Sequence, residues 1–565
     1  MYVKRTVRRR GEKEYIYLSL VEAVRVDGKN RQRELFRLGE VSELEQSGQL
    51  DRVIAALTKY ASGEWMDARS VEGAGAPSFG SVASIAAIFD QCGLREHFDA
   101  IGETRGSDHL ADTVLAMVAN RLCDPASKRR TVLEWFETIE FPDGIEVPSL
   151  AQCYRALDAL AAVKEETEAA LYRRLTDLTN LDLRLALYDL TSTYFETEGT
   201  NEDFPSLAYG YSRDKRSDRP QIVIGLLVTG NGIPIAHYVF AGNTRDSTTL
   251  KSVMADYQAR FGIGKIALVA DRGLISEQNV TDLGEAGFDH VLATRLHGSD
   301  TVETVLEKAV DASSTWVSVD DRTTATDVTH DGVRYVVVSS STRKARDDRR
   351  REELLSRTED KLIALADRVS AKRLVDRAEI GAASDRILRD SGVGRCFTTS
   401  IREGSFSWSH DEDAVRFEER LLAGRYVLTT SLPAKTADAA TVVRHYKMLQ
   451  NVERRFRVMK DFLALRPVYH RTENRVRGHI ALCVIAATIE AVMGERLKER
   501  KVMDPEKTGQ VMTPRLALHH LSQLRRHRLR AGREIDVIDR PTTIQRQILD
   551  AFGVDTTGWN RATVA

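Results

Sequence analysis

The stretch "LRLALYDLTSTYFE" (residues 183–196) decides how the rest of this chain is interpreted. Its apolar run predicts a buried β-strand, and one carboxylate, Asp189, stands at the far end of that run. Burying an unpaired carboxylate costs several kcal/mol, and even a buried ion pair is often no better than neutral. Two interpretations are open. Either the strand ends at Asp189 and the side chain caps a turn, or Asp189 has partners elsewhere in the chain.

A second apolar run repeats the pattern. "GKIALVADRG" (residues 264–273) predicts a strand that ends in Asp271. Asp189 and Asp271 would both lie at the carboxyl side of strands in one sheet, where ligand and metal sites collect in open sheets. Two carboxylates there suit Mg²⁺, which takes oxygen ligands and keeps positions open for water and phosphate. Two such ions, about 4 Å apart, can activate one oxygen and stabilise the leaving oxygen of a phosphodiester.

A third carboxylate is needed to hold a second ion, and "RHYKMLQNVERRFRVMKDFLAL" (residues 444–465) supplies Glu453. Tyr446, Glu453 and Lys460 are seven residues apart, and Arg457 follows Glu453 by four, so an ideal helix carries them on one stripe. Glu453 is therefore expected to face a metal while Tyr446, Arg457 and Lys460 face phosphates. The alternative is an ordinary i,i+4 pair between Glu453 and Arg457.

Composition sets the protein class. The 565 residues exceed one hydrophobic core, and 42% hydrophobic with 29% charged residues is a soluble globular balance. We expect no membrane span, because no run of about 18 uncharged apolar residues occurs, and no signal peptide, because the first residues are basic and polar. The expected location is the cytoplasm. Five widely spaced cysteines without a Cys-x-x-Cys pair predict reduced side chains rather than disulfides or a zinc site.

Positive charge is clustered although the net charge is only −1. Residues 1–40 contain eleven Lys and Arg against six acids, and further basic clusters occur at 444–460 and 525–533. Clusters of this kind suit a polyanion such as nucleic acid, although each alone is also typical of a solvated surface.

The pattern of apolar residues divides the chain into segments. Residues 14–38 predict a β-hairpin with the turn "DGKN", and residues 82–180 show helical spacing. A three-stranded meander and then β–α–β units predict a mixed sheet of α+β character. The predicted divisions are a basic β-hairpin (1–69), a separate helical DNA-binding or dimerisation region (70–180), the first part of the core (181–296), a mostly β insertion with one long helix (297–424), the second part with the Glu453 helix (425–498), and a basic helical tail (499–565).

At this point the sequence resembles the DDE transposases of bacterial insertion sequences, in the group with the Y-x₂-R-x₃-E-x₆-K signature. The similar segments surround Asp189, Asp271 and Glu453 and include "GYSRDKRSDRPQIVIGLLVTGNGIPIAHYVFAGNTRD" (210–246). The resemblance implies an RNase H-like catalytic domain interrupted by an insertion before the glutamate helix. One position departs, because the signature arginine falls at Leu449. Lys447 is about 200° away on an ideal helix and is not expected to replace it.

The resemblance implies a transposase that cuts double-stranded DNA at the terminal inverted repeats of its element and joins the 3′-OH ends to target DNA. Asp189, Asp271 and Glu453 would be both catalytic residues and ligands of two Mg²⁺ ions, with Mn²⁺ as a substitute. Without metal, at least one of these carboxylates should have a raised pKa. The partners would be element-end and target DNA, with a homodimer in the synaptic complex and no membrane, in a bacterial cytoplasm near the nucleoid.

Two other functions stay open, a nuclease of the same fold without strand transfer and a non-catalytic DNA-binding relic of a transposase. Trp408 lies in the predicted insertion, where similar transposases use an aromatic residue to stack on an unpaired base. The alternative is that Trp408 is part of a hydrophobic core.

Overall fold

The strand that carries Asp189 lies within a nine-stranded sheet in a computed structural model of the chain. The structure describes residues 1–11, 13–26, 29–60, 72–73, 75–178, 185–197, 199–200, 202, 204–261, 267–271, 277–294, 300–311, 314–402, 404–530, 534–557, 559 and 563–564. Two compact units are present. The first comprises residues 1–76, 527–537 and 561–565, and the second comprises residues 77–526 and 538–560.

The strands are β1 Tyr2–Arg10, β2 Lys13–Val26, β3 Lys29–Glu40, β4 Glu72–Gly73, β5 Leu185–Tyr194, β6 Gln221–Thr229, β7 Pro234–Ala241, β8 Ala267–Ala270, β9 Asp289–Ala293, β10 Val317–Asp320, β11 Thr323–His330, β12 Val333–Ser340, β13 Phe397–Arg402, β14 Ser405–His410, β15 Arg425–Thr430, β16 Arg526–Arg530, β17 Glu534–Ile538 and β18 Thr563–Val564.

The helices are α1 Val41–Gln46, α2 Gln49–Thr58, α3 Gly80–Gln91, α4 Leu94–Arg105, α5 Leu110–Cys123, α6 Lys128–Leu133, α7 Leu150–Ala162, α8 Lys164–Leu178, α9 Leu250–Phe261, α10 Glu277–Glu285, α11 Asp300–Val310, α12 Ser341–Ser370, α13 Arg377–Ser391, α14 Glu412–Phe417, α15 Ala439–Lys447, α16 Leu449–Arg457, α17 Glu473–Glu499, α18 Pro514–Leu521 and α19 Thr543–Phe552.

The main sheet has the order β10-β11-β12-β15-β9-β8-β5-β6-β7. β5, β6 and β7 form an antiparallel meander, and β8 and β9 continue it in parallel with β5. The predicted mixed sheet is therefore confirmed. Its central strands are apolar on both sides because separate hydrophobic clusters cover the two faces of the sheet. Gly225 of β6 belongs to this packing, since a Cβ there would lie 2.7 Å from the Tyr188 hydroxyl.

The helices of residues 80–178 are present as predicted, but they are not a separate region. α3, α5 and α7 share one hydrophobic cluster with the main sheet and with α17. Gly478 of α17 lets this helix cross α7 closely, because a Cβ would overlap the Leu157 carbonyl. α17 is long and apolar enough to cross a membrane by length and composition, yet 94% of its apolar window is buried inside the protein, as in the core helix of a soluble protein.

The predicted insertion (297–424) also differs from expectation. β12 pairs with β15 from Arg334 to Ser339, so β10, β11 and β12 extend the main sheet rather than forming a unit of their own. Two separate hydrophobic clusters lie in this segment. One joins α11 to β11, β12 and β15, and the other is formed mainly by α12, α13 and the hairpin β13–β14. The prediction of a mostly β insertion with one long helix was therefore wrong, because α11, α12 and α13 contain more residues than the strands β10 to β14.

Both ends of the chain contain more strand than predicted. The N-terminal hairpin is the pair β2–β3, and β1 adds a third strand to it. Residues 27–28 of the predicted turn and the boundary near residue 70 lie outside the described residues. The tail is not wholly helical, because the basic segment 526–530 is β16. Its alternating Arg-x-Arg-x-Arg pattern has the period of a strand, a signal that the helical prediction overlooked.

Candidate active site

Asp189 and Asp271 occupy equivalent places on neighbouring parallel strands. Tyr188 of β5 is paired with Ala270 of β8, and each aspartate directly follows one of these residues. β5 continues to Tyr194, so Asp189 lies within a strand and does not cap a turn. The interpretation of Asp189 as a turn-capping residue at the end of its strand is therefore wrong. Its carboxylate lies where the parallel pairing between β5 and β8 stops.

Glu453 of α16 completes the group. Asp189, Asp271, Glu453 and Tyr446 line one cleft of about 320 Å³. In the described part of the chain, no ion pair joins Glu453 to Arg457, so the alternative of an ordinary helical pair does not hold here. Three carboxylates brought together from β5, the end of β8 and α16 have no explanation in the packing of the sheet alone.

Burial and like charge both act on Asp189. The pKa of this carboxyl is raised from 3.8 to about 7, mainly by burial and further by Asp271 and Glu453. The Leu190 amide, which donates to Asp189 Oδ1 at 2.7 Å, and Arg213 oppose the shift without cancelling it. The expectation of a raised pKa is confirmed, but its largest cause is burial rather than repulsion between the acids.

The donor set fits a hard divalent cation by its chemistry, since all three groups offer carboxylate oxygens. Over the described residues, no group of three His, Cys, Asp or Glu side chains is gathered closely enough to hold an ion as it stands. Tyr446 contributes a neutral donor, because its hydroxyl lies 3.4 Å from Asp271 Oδ1 and burial raises its pKa.

Two cations of the cleft were missed in the sequence. Arg343, at the start of α12, lines the cleft and places its guanidinium 5.3 Å from the ring centre of Tyr426. Lys447 also lines the cleft, and its Nζ donates to Asp320 Oδ2 at 2.5 Å and to Thr323 Oγ1 at 3.0 Å. Nothing in the local sequence around Arg343 points to this position, because it depends on how the insertion folds back.

The interpretation of Lys447 rested on an ideal helix and needs correction. α15 ends at Lys447 and α16 begins at Leu449, so Met448 separates two helices and the rotation of 100° per residue does not apply across it. Both Lys447 and Leu449 reach the cleft. The missing signature arginine thus has a lysine close to it.

Lys460 does not share the stripe of Glu453. A π-helical turn begins at Val458, so a spacing of seven residues no longer returns to the same side. The Nζ of Lys460 instead donates to Asp214 Oδ1 at 2.9 Å, and Arg466 also pairs with Asp214. The side chains of Lys460 and Asp214 are only 10% and 8% exposed. Arg457 is exposed on α16.

Trp408 lies in β14 and is half-buried. Its ring centre is 5.9 Å from those of Phe397 and His410, at the border of the cluster formed by α12, α13 and the hairpin β13–β14. This packing favours the core interpretation, although it leaves part of the indole accessible.

Comparison with known families identifies the chain. The model of the transposase DDE domain matches residues 187–489, more than half of the sequence and the whole span of the three acids. The chain belongs to the DDE transposases. The model of the N-terminal domain of IS1634 family transposases matches residues 3–69. No curated protein matches it.

Among solved structures, the transposase is similar to the cryo-EM structure of a piggyBac transposase synaptic complex with hairpin DNA. The identity is 10%, the similarity covers 73% of this chain and 70% of that one, and the TM-score is 0.32. A similarity of that size establishes neither a shared fold nor a shared mechanism.

Proposed function

We propose that this transposase cuts DNA at the ends of an insertion sequence and joins the released ends to a target. Water attacks the phosphodiester at the element end, the P–O3′ bond breaks, and a 3′-OH is released. That 3′-OH attacks a target phosphodiester, forming a new P–O bond as another breaks. The observation that supports this most is the single cleft that Asp189, Asp271 and Glu453 line together.

Asp189, Asp271 and Glu453 would hold two Mg²⁺ ions, or Mn²⁺ in their place. The ions would supply the activation of the attacking oxygen and the stabilisation of the leaving one. Neighbouring groups of the chain orient these carboxylates. Tyr446 orients Asp271 through its hydroxyl, and the Leu190 amide holds one oxygen of Asp189. The raised pKa of Asp189 means that this carboxyl releases a proton when a cation binds.

Contacts to DNA phosphates are proposed for cations at and near the cleft. Arg343 and Lys447 line the cleft, and Arg457 is exposed on the helix of Glu453. Lys460 could contact a phosphate only by exchanging Asp214 for it. For Trp408, a stacking role is tested by Trp408→Ala: if thermal stability and first-strand nicking fall together, the residue is part of the core.

The order β7-β6-β5-β8-β9, with three antiparallel strands followed by two parallel ones, supports the RNase H-like classification of the core. We assign DNA contact to the basic N-terminal unit, whose β1 is exposed at all but one position. Deleting residues 1–40 should flatten the dependence of DNA binding on salt, because fewer counterions are released. Synapsis of two element ends implies a dimer, acting in the cytoplasm on nucleoid DNA.

The deciding experiment uses the purified full-length protein, duplexes that carry the element ends, and Mg²⁺, with Ca²⁺ as a non-catalytic control. Cleavage and the joining of a pre-cut 3′-OH end to a second duplex support the proposal. Cleavage without joining assigns the protein to the nucleases, and DNA binding without cleavage assigns it to the non-catalytic relics.

A further inference from the structure

A second pocket in the same unit collects positive charge instead of negative. It has a volume of about 200 Å³ and lies between the end of α5, the start of α6, α7, the segment 464–470 and α17. The residues that matter for its chemistry are Arg121, Lys128, Tyr154, Tyr469, His470 and His479. Its wall contains none of the three catalytic acids.

Lys128 is the central feature of this pocket. Its side chain is 3% exposed, and among the described residues its Nζ has no hydrogen-bond partner. The groups that act on it electrostatically are Arg121, Cys483 and Cys153, so no described carboxylate compensates its charge. Burial first, and then Arg121, lower its pKa from 10.5 to about 7.

Arg121 adds a second buried cation that is fixed in place. It is 5% exposed, and its Nη1 donates to the carbonyls of Leu463 at 3.1 Å and Ala464 at 3.3 Å. Its Nη2 donates to the Ala126 carbonyl. These contacts hold the guanidinium without neutralising it, because backbone carbonyls carry no net charge.

The same two cations also act on the pKa values of the two histidines of the pocket. Burial and the neighbouring cations Lys128 and Arg121 lower the pKa of His470 to about 4 and also lower that of His479. Both rings are therefore neutral at pH 7 and can donate or accept hydrogen bonds. The Nε2 of His479 lies 3.3 Å from the Leu465 carbonyl and donates to it, which leaves Nδ1 buried without a partner in the described part of the chain.

Burial beside Arg121 disfavours the charged form of Lys128, which is why its pKa falls to about 7. A bound anion would stabilise the charged side chains of Lys128 and Arg121. The pocket has room for a tetrahedral anion with a few waters, since one water occupies about 30 Å³ of liquid. Tyr469, which is 72% exposed, stands at its rim, so a ligand larger than the pocket can insert one group from outside.

We propose that this pocket binds a phosphate group, either free phosphate or a phosphodiester of DNA. Lysine is a point charge for a phosphate oxygen, and the fixed guanidinium supplies charge behind it. Only the DNA source rests on the proposed function, since binding of free phosphate needs no transposase activity.

The test compares full-length wild type with Lys128→Met and with Arg129→Met, which removes the neighbouring exposed cation. Inorganic phosphate at pH 7 and constant ionic strength should raise the melting temperature of wild type and Arg129→Met but not of Lys128→Met. Without phosphate, Lys128→Met should melt at or above the wild-type temperature, because a buried amino group without a hydrogen-bond partner in the described part of the chain is gone. A folded variant that has lost only the phosphate response thus separates binding from misfolding.

The second arm identifies the source of the phosphate. If a DNA phosphodiester occupies the pocket, Lys128→Met should lower the slope of log K against log salt by about one more than Arg129→Met does. Loss of the response to inorganic phosphate with an unchanged DNA slope assigns the pocket to free phosphate. If Lys128→Met matches Arg129→Met in both arms, the proposal is overturned.

Discussion

Asp189 and Glu168 are both carboxylates with little exposure in the same unit, yet their protonation is driven in opposite directions. Burial raises the pKa of Asp189 to about 7, with Asp271 and Glu453 adding to the shift. Burial acts on Glu168 as well, but His237, Lys164 and Arg260 outweigh it and lower the pKa from 4.5 to about 2. Arg260 Nη1 donates to Glu168 at 2.6 Å, and His237 Nδ1 lies 2.7 Å from it.

The difference teaches that burial of an acid does not by itself mark a site. Glu168 joins α8 to α9 through its ion pair with Arg260, and to β7 by accepting the backbone amide of His237, so its ionised form is part of the packing. Asp189 gathers with other acids at a cleft open to a ligand, so the chain leaves its charge for something else to balance.

The largest expected effect comes from removing that unbalanced charge. Asp189→Asn, Asp271→Asn and Glu453→Gln should each abolish DNA cleavage, a greater loss than the roughly 10- to 100-fold typical of residues behind the metal ligands. The fold should persist, because the amides keep the shape of the side chains. Gel assays of cleavage with Mg²⁺, beside circular dichroism, measure both. Cleavage at the wild-type rate by any of these variants would remove that residue from the site.

Glu168→Gln should have the opposite effect, lowering stability while leaving cleavage nearly unchanged. Removing one partner of a buried ion pair leaves uncompensated cations, which typically costs about 3–5 kcal/mol of the free energy of unfolding. Denaturant titration should show this loss, while cleavage per folded molecule stays near that of wild type. Normal stability in Glu168→Gln would mean that the surrounding cations are balanced in another way and would break the comparison.

The two carboxylates should also give opposite dependences of stability on pH without divalent cations. Between pH 3.8 and about 7 the folded state holds a proton on Asp189 that the unfolded state has released, so stability falls as pH rises. Between about 2 and 4.5 the unfolded state holds the proton of Glu168, so stability is lost as pH falls. Melting curves in EDTA should show a flatter slope above pH 4 for Asp189→Asn only. An unchanged slope in that variant would contradict the raised pKa.

The sequence was enough to predict that Asp189 and Asp271 lie close together. It was not enough to predict the partners of Glu168. Asp189 and Asp271 each end an apolar run, and parallel strands bring such ends together, so two short segments were enough. Glu168 meets His237 and Arg260 only through the packing of α8 on the sheet. No local pattern encodes a contact between residues that far apart in the chain.

Helix periodicity failed where the helices are irregular. It placed Lys460 on the stripe of Glu453 and Lys447 about 200° from the signature position at Leu449. Past the π-helical turn at Val458, Lys460 instead pairs with Asp214, and across the break at Met448 Lys447 lines the same cleft as Leu449. The sheet was predictable for the opposite reason, since its strands are regular and their apolar runs are long. The extra strands β10–β12 joined it through a pairing with β15 that only the folded chain reveals.

The smallest expected effects concern two cations at the end of the helix that carries Glu453. Lys460 is paired with Asp214, whereas Arg457 is exposed. Lys460→Ala should lower the melting temperature by a few degrees, because Asp214 loses one of the two cations that pair with it among the described residues. Arg457→Ala should leave the melting temperature unchanged and weaken DNA binding modestly, with about one unit less salt dependence if the side chain contacts one phosphate. Thermal melts and salt titrations of the two variants, with single-turnover cleavage at saturating protein, separate these roles.

A large drop in cleavage by Lys460→Ala at normal melting temperature would mean that the ammonium group of Lys460 leaves Asp214 for a DNA phosphate in the wild-type protein. It would then act as an unbalanced charge of the active site rather than as a structural pair.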